Sequence, residues 1–144
     1  MIALARLVDS IDEEKNTAMR FARIVYVIAA VYGFLTLIPL YFMLDRVGQE
    51  APPAVSHPEF YYGFLGVTLL WQIAFLLIAK DPIRYRPLMP LTILEKLVYA
   101  VPVLVLYSLG RVHPSIMRSS LPDPIFGLLF ALAYLRTTGY KSTS

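Results

Sequence analysis

Apolar residues run almost unbroken through four long stretches of the chain, and polar residues gather between them. The stretches cover roughly residues 24–44, 60–79, 92–109 and 124–138. A helix needs about 20 mostly apolar residues to cross a hydrocarbon core of about 30 Å. The first three stretches meet this length, whereas the fourth is short and would need its flanks or a thin bilayer. Because membrane-spanning backbone must satisfy its own hydrogen bonds, the pattern predicts an all-α fold, a polytopic bundle of four transmembrane helices.

The polar segments between the spans leave room for one domain only. Charged residues make up 16% of the chain, whereas a soluble domain carries about 25%. We therefore expect a single integral membrane domain over residues 1–144, beginning with a cytoplasmic amphipathic segment at 1–23. Acidic residues interrupt the first twenty positions, so this segment is not interpreted as a signal peptide.

Basic residues alternate between the two sides of the predicted spans. One side holds those of the N-terminal segment, the second loop and the end of the last span: Arg6, Lys15, Arg20, Arg23, Lys80, Arg84, Arg86 and Arg136. The positive-inside rule then places both termini and the second loop in the cytoplasm. We expect a multi-pass protein of a bacterial inner (plasma) membrane. Lys80, Arg84 and Arg86 are predicted to contact the head groups of membrane phospholipids, and no nucleic-acid partner is expected.

Several kinds of chemistry are excluded by what the chain lacks. There is no cysteine, and the two histidines, His57 and His113, lie in predicted loops. Thiol–disulfide relays and zinc–thiolate sites are therefore excluded, and so is a bis-histidine haem held within the spans by one chain. His57, Glu59, His113 and Asp123 share the outer side, but their spacing matches no metal motif. We predict no cofactor and no metal site.

Short polar motifs mark the predicted helix starts. They are three capping boxes and two Asp-Pro pairs: Ser10–Glu13, Ser56–Glu59, Thr92–Glu95, Asp81-Pro82 and Asp123-Pro124. A long helix is expected to begin near Ile11 and to continue into the first span. Pro39 should bend that span, and Pro102 should kink the third.

A few polar and aromatic residues within the spans are candidates for ligand binding. Gln72 is the most central polar residue, beside Trp71, and Tyr32 and Tyr99 are expected at similar depths. One interpretation is a polar pocket for a small lipophilic molecule. The other is structural, since hydrogen bonds between membrane helices stabilise a bundle by about 0.6 kcal/mol each on average.

Glu95 is the remaining candidate, about one turn inside the third span and next to Lys96. Ionisable groups within a membrane are costly, so each suggests a function. In one interpretation the carboxylate faces a cavity and exchanges protons. In the other, Glu95 caps the helix that Thr92 begins, and Lys96 extends its ammonium towards the head groups.

The leading functional hypothesis is a non-enzymatic integral membrane protein. It would bind lipid or a small lipophilic ligand, or act as a subunit of a membrane assembly. Small residues four apart, Ala29 with Gly33 and Gly127 with Ala131, indicate tight helix contacts within one chain or in a homo-oligomer or membrane complex. The alternative is a small intramembrane isomerase or oxidoreductase accessory enzyme that uses Glu95 and Tyr99. A channel or transporter would require an oligomer.

Three features resemble a bacterial membrane-protein group. They are the loop Asp81-Pro82-x-Arg84-Tyr85-Arg86-Pro87, the Glu95-Lys96 pair and the segment Asp123-Pro124-x-x-Gly127-Leu128-Leu129-Phe130. Together they resemble small four-helix proteins that are DoxX-like in size and layout, over roughly residues 60–138. The resemblance implies a four-helix bundle and no particular reaction or catalytic residue. Sterol-isomerase-like proteins also have four helices around a pocket for a lipophilic ligand, but this chain lacks their carboxylate and histidine set in its spans.

Overall fold

The structure, a computed structural model, describes residues 1–140, except for the side chains of residues 2–5 and 8. Every regular element in this part of the chain is helical, which confirms the predicted all-α class. The helices are α1 (Ile2–Leu40), α2 (Leu44–Glu50), α3 (Pro58–Lys80), α4 (Met89–Ser108), α5 (Pro114–Ser120) and α6 (Pro122–Arg136), and one turn of 3₁₀ helix (Arg86–Leu88) precedes α4.

Four stretches of helix are long and apolar enough to cross a membrane: Asp9–Leu40, Pro58–Lys80, Arg86–Ser108 and Pro114–Arg136. The last three have 23 residues each, which corresponds to about 34 Å of helix. The fourth stretch joins α5 to α6, so the short apolar run from Pro124 gains length from its flank, one of the two possibilities that the sequence left open. Pro122 lacks a backbone N–H and interrupts the hydrogen bonding, but Leu121 before it keeps helical dihedral angles.

The first helix differs from the prediction at both ends. It begins at Ile2 instead of near Ile11, and it ends at Leu40 instead of near residue 44. Pro39 lies next to the last residue of α1, so it ends the helix instead of bending its middle. The loop that follows contains the short helix α2, which had been predicted as irregular chain.

None of the three predicted capping boxes begins a helix. Ser10 lies inside α1, where its hydroxyl donates to a carbonyl of the preceding turn. The N-cap residues of α3 and α4 are His57 and Leu88, and neither makes a side-chain capping hydrogen bond. Both helices carry a proline in their first turn, Pro58 and Pro90. Proline stabilises such starts because the first N–H groups of a helix have no partner within the helix.

The two Asp-Pro pairs also behave differently from the prediction. Asp81 ends α3, and its Oδ1 atom accepts a hydrogen bond of 3.0 Å from the backbone N–H of Arg84, which orders the turn after the helix. Asp123 is not an N-cap, because α6 begins one residue earlier, after the N-cap Leu121. The carboxylate of Asp123 is therefore free to bind elsewhere.

The four long helices form a ring in the order α3, α1, α6, α4. α1 packs closely along α3, α4 packs closely along α6, and α1 also contacts α6. α3 and α4, which would close the ring, approach each other at few positions. We call the line between them the α3–α4 seam.

Aromatic side chains from three helices fill part of the bundle core. The ring of Tyr26 stacks on that of Phe130, with centroids 4.3 Å apart, and Phe75 lies 5.0 Å from Phe130. All three are fully buried, and we call them the aromatic layer. The hydroxyl of Tyr26 lies 2.8 Å from Oγ1 of Thr92 on α4. The aromatic layer therefore sets the relative heights of all four long helices.

Candidate functional site

Three charged side chains meet inside this apolar bundle. The ammonium of Lys96 on α4 lies 2.9 Å from Oδ1 of Asp123 on α6 and 3.2 Å from Oε2 of Glu95. Only 7% of the surface of Lys96 is exposed, and the two carboxylates are mostly buried. The Nζ atom also lies 5.4 Å from the ring centroid of Phe75, within the range of a cation–π interaction.

The stem of Lys96 lies against Gly127 of α6. A side chain at Gly127 would begin 3.5 Å from Cβ of Lys96. Asp123 precedes Gly127 by one helical turn, so the lysine stem lies against Gly127 while its ammonium reaches the carboxylate. The close approach of α4 and α6 at Gly127 agrees with the tight contact that its spacing from Ala131 indicated.

The positions of Glu95 and Asp123 correct two predictions. Glu95 was expected one turn inside its span or as a cap, but it lies near the middle of the helical stretch Arg86–Ser108. Asp123 was expected as a helix cap at the outer end of the fourth span, on the same side as the two histidines, but it lies near the middle of Pro114–Arg136. Both errors arise because the helices extend beyond the apolar stretches that the sequence shows. Neither carboxylate caps a helix.

Gln72 is the buried polar residue of α3, with 2% of its surface exposed. Its side chain lies over Gly33 of α1, where an added Cβ would come within 2.1 Å of the Oε1 atom. The Nε2 atom donates to the carbonyl of Thr68 at 2.9 Å. Oε1 is buried and accepts no hydrogen bond from residues 1–140.

The register of the helices places Gln72 at the height of the charged residues. Moving along α3 by one turn from Phe75 in the aromatic layer leads to Gln72. Moving along α4 by one turn from Thr92, which contacts the same layer, leads to Glu95 and Lys96. α3 and α4 run in opposite directions, so both steps go the same way along the bundle. We call Gln72, Glu95, Lys96 and Asp123 the polar layer.

Glu95 is on the side of α4 that faces the α3–α4 seam. Tyr99 lies one turn further along the same face of α4, and its ring centroid is 5.5 Å from that of Phe64 on α3. The hydroxyl of Tyr99 is also close to Ser119 and Asp123. Glu95 Oε2 is buried and accepts no hydrogen bond in the described chain, although the lysine ammonium is nearby.

Three of the five predicted ligand residues, Gln72, Glu95 and Tyr99, lie at neighbouring heights on the two helices that border the α3–α4 seam. Trp71 lies at the edge of this group, partly buried, with its ring 6.5 Å from that of Phe75. Tyr32 does not join them, because its ring packs against Phe126 on the side of α1 that faces α6, and 41% of its surface is exposed. The assignment of these residues to a binding site stays a prediction.

Lys96 and Asp123 were missed as partners in this group. The sequence did contain a signal, since each is a charged residue next to a long apolar run on a different helix. Lys96 was interpreted as extending towards the head groups and Asp123 as a cap. Which lysine pairs with which carboxylate depends on helix packing, so the pairing could not be derived from spacing along the chain.

The predicted head-group residues lie at one end of the bundle, together with two further arginines. Arg86 is held against the end of α6: its guanidinium lies 4.1 Å from the ring centroid of Tyr134 and donates to Oγ1 of Thr138 at 2.6 Å. Arg23 of α1 donates to the carbonyls of Ala79 and Lys80. At the same end, Arg136 stacks on Phe21, while Lys80 and Arg84 are exposed.

Comparison of the chain with protein families, with curated proteins and with solved structures gives no match in any of the three. The resemblance to DoxX-like proteins therefore stays a prediction.

Proposed function

We propose that this chain is an integral membrane protein that binds a small amphiphilic molecule at the polar layer. The polar head of the molecule would donate hydrogen bonds to the layer, and its apolar part would lie along the α3–α4 seam. The observation that carries this proposal is the pair of buried acceptor atoms, Gln72 Oε1 and Glu95 Oε2, which accept no hydrogen bond from the described residues.

The membrane location is supported by the outer surface of the bundle. Large apolar side chains on each of the long helices are exposed, among them Ile24, Leu35, Leu70, Val98 and Leu128. In water such a surface would be unfavourable, since soluble monomers rarely expose apolar patches of more than a few hundred Å². In a lipid bilayer the same apolar side chains would contact hydrocarbon tails, so their exposure would not be unfavourable.

The orientation proposed is the one expected from the charges, with both termini in the cytoplasm of a bacterial cell. Arg23, Lys80, Arg86 and Arg136 lie at one end of the bundle, where anionic head groups would attract them. At the other end Arg46 is already paired with Glu50 at 2.7 Å. The basic end would therefore face the cytoplasmic leaflet.

Two buried acceptors without a hydrogen bond point to a ligand, because burying such atoms is costly; the Lys96 ammonium lies 3.2 Å from one of them, Glu95 Oε2. A buried polar atom without a hydrogen bond destabilises a protein by roughly 1–3 kcal/mol, and the large majority of buried polar groups are paired. Both atoms accept and neither donates, so a ligand would have to supply donors. The α3–α4 seam is a suitable route, because of the neighbouring long helices in the ring these two pack against each other least.

The proposal is tested by native mass spectrometry of the protein released from membrane nanodiscs. We expect one non-phospholipid molecule per chain in the wild type. Gln72→Leu should lose it, since leucine has a similar size and cannot accept a hydrogen bond. Thr36→Val is the matched control, because the Thr36 hydroxyl bonds only within its own helix on an exposed face. A folded Gln72→Leu variant that retains the molecule would contradict the proposal.

The same spectra test the other non-enzymatic role. A bare oligomer, or phospholipid adducts alone, would favour a structural subunit of a membrane assembly over a ligand-binding protein. Proteins that copurify with the chain would then identify the assembly.

An enzymatic role is the second candidate, favoured by the common face of Glu95 and Tyr99. These residues lie one turn apart on α4, beside the seam, and could exchange protons with a bound substrate. Once a ligand is known, Glu95→Gln should abolish its conversion and leave the helix content unchanged. Conversion at the wild-type rate would exclude Glu95 as a proton donor or acceptor.

A further inference from the structure

The charges of the polar layer do not balance. It contains two carboxylates, Glu95 and Asp123, and one ammonium, Lys96. No other basic side chain of the described chain forms a salt bridge with either carboxylate. With all three groups ionised, the layer carries one net negative charge in an apolar bundle, where an uncompensated charge is strongly unfavourable.

The negative charge that Lys96 does not neutralise is on the side of the polar layer that faces the α3–α4 seam, where a ligand would enter. Lys96 is closest to Asp123, at 2.9 Å, whereas its shortest distance to Glu95 is 3.2 Å. Glu95 Oε2, the atom at 3.2 Å, accepts no hydrogen bond within residues 1–140. Lys96 also donates a hydrogen bond of 3.4 Å to Glu95 Oε1, so one ammonium is shared between the two carboxylates. Oε2 is the Glu95 atom that keeps capacity for a second donor.

The groups next to Glu95 also favour a ligand that is positively charged and donates hydrogen bonds. Gln72 Oε1, at the same height of the bundle, is a second buried acceptor without a donor. Trp71 and Tyr99, near the seam, offer aromatic faces, which attract cations. A protonated amine supplies both positive charge and up to three N–H donors, whereas a hydroxyl supplies one donor and no charge.

We propose that the ligand of the polar layer is a lipophilic primary amine, whose ammonium group pairs with Glu95 and donates to Gln72. This inference rests on the proposed ligand-binding function and names its ligand class. The apolar part of the amine would extend through the α3–α4 seam towards the exposed apolar surface. A proton taken up by Glu95 is the competing way to neutralise the layer.

The single tryptophan of the chain allows a direct test. Trp71 precedes Gln72, so its fluorescence reports on the polar layer without a label. The wild type, in nanodiscs of zwitterionic lipid at pH 7, is titrated with dodecylamine and with 1-dodecanol, which have the same chain length. We expect saturable binding with an affinity for the amine at least about tenfold higher than for the alcohol, a ratio that corresponds to about 1.4 kcal/mol.

Two substitutions test the charge argument. Glu95→Gln and Asp123→Asn each remove one negative charge with little change in shape, and each should reduce the affinity for dodecylamine about tenfold. Their affinity for dodecanol should stay within twofold. Glu50→Gln is the control, since it removes an exposed carboxylate in α2, outside the polar layer. If one of the two core variants fails to fold, the other still tests the argument.

The outcomes separate this inference from the proposed function. Equal affinity for amine and alcohol, or undiminished amine binding by a folded Glu95→Gln or Asp123→Asn, would overturn the amine assignment and leave a ligand site in place. A preference for the amine that weakens as the pH is lowered in the wild type but not in Glu95→Gln would support pairing of the amine with ionised Glu95. Absence of saturable binding by both compounds, with no ligand mass in the native spectra, would overturn both proposals.

Discussion

The ammonium of Lys96 lies 2.9 Å from Oδ1 of Asp123 although the two residues belong to different helices, α4 and α6. The lysine stem lies against Gly127, one turn from Asp123, where an added Cβ would be 3.5 Å from Cβ of Lys96. This single lysine links two helices and partly neutralises two buried carboxylates. Stability and ligand binding should therefore both depend on it.

Removing the lysine should destabilise the bundle strongly. Lys96→Met keeps an apolar stem of similar length but leaves Glu95 and Asp123 buried without a cation. Breaking a buried ion pair from one side costs about 3–5 kcal/mol. We expect a loss of this order in unfolding by denaturing detergent, and a smaller loss in Lys96→Met/Asp123→Asn. The exposed Lys80→Met is the control, and equal stability of Lys80→Met and Lys96→Met would contradict this prediction.

The contact between Gly33 and Gln72 can be tested with a second glycine as the matched control. Gly33→Ala would bring a Cβ within 2.1 Å of Gln72 Oε1, so the side chain must move, whereas an added Cβ at Gly63 meets nothing within 4 Å. We expect a lower melting temperature for Gly33→Ala only. Alanine is the better helix former by about 1 kcal/mol, so Gly63→Ala should be neutral or stabilising.

A double substitution isolates the cause of the Gly33 effect. In a Gln72→Ala background no long side chain lies over residue 33, so Gly33→Ala should no longer destabilise the bundle. A penalty that persists in this background would mean that another neighbour, not Gln72, requires the glycine.

Tyr26 and Thr92 share a hydrogen bond, but removing the hydroxyl of one should lower the free energy of unfolding more than removing that of the other. The Thr92 hydroxyl donates to the carbonyl of Met89 at 2.8 Å, so the Tyr26 hydroxyl is the donor between them. Tyr26→Phe leaves Thr92 with its other bond and should cost about 0.6 kcal/mol. Thr92→Val leaves a buried phenol without a partner and should cost roughly 1–3 kcal/mol. Detergent unfolding measures both, and the reverse order would refute the donor assignment.

The absence of cysteine from the sequence makes the orientation directly testable. Gln49→Cys places a thiol on α2 at one end of the bundle, and Arg84→Cys places one in the turn at the other end; both positions are exposed. A membrane-impermeant maleimide should label Gln49→Cys in spheroplasts with intact inner membranes, and Arg84→Cys only after permeabilisation. Val98→Cys, on the apolar surface, should react in neither case. Labelling of Arg84→Cys in intact spheroplasts would reverse the proposed orientation.

The chemistry of the site was predictable only in part. Gln72 and Glu95 were identified from the sequence because polar groups in apolar stretches are costly wherever they occur. Asp123 was interpreted as a helix cap, and its distance from Lys96 in the chain, across a loop and α5, gave no reason to pair them. Tyr32 was included on depth alone, but depth along a helix does not specify which neighbour a side chain faces.

Apolar content by itself determined that this protein has four long helices, because only helices let such stretches satisfy their backbone hydrogen bonds away from water. The capping boxes at Ser56 and Thr92 did not mark where the helices begin, because those starts have proline in the first turn, at Pro58 and Pro90. Only the tertiary structure decided that Glu95, Lys96 and Asp123 share one layer. That arrangement depends on the register that the stacking of Tyr26 on Phe130 imposes between helices, which no local pattern encodes.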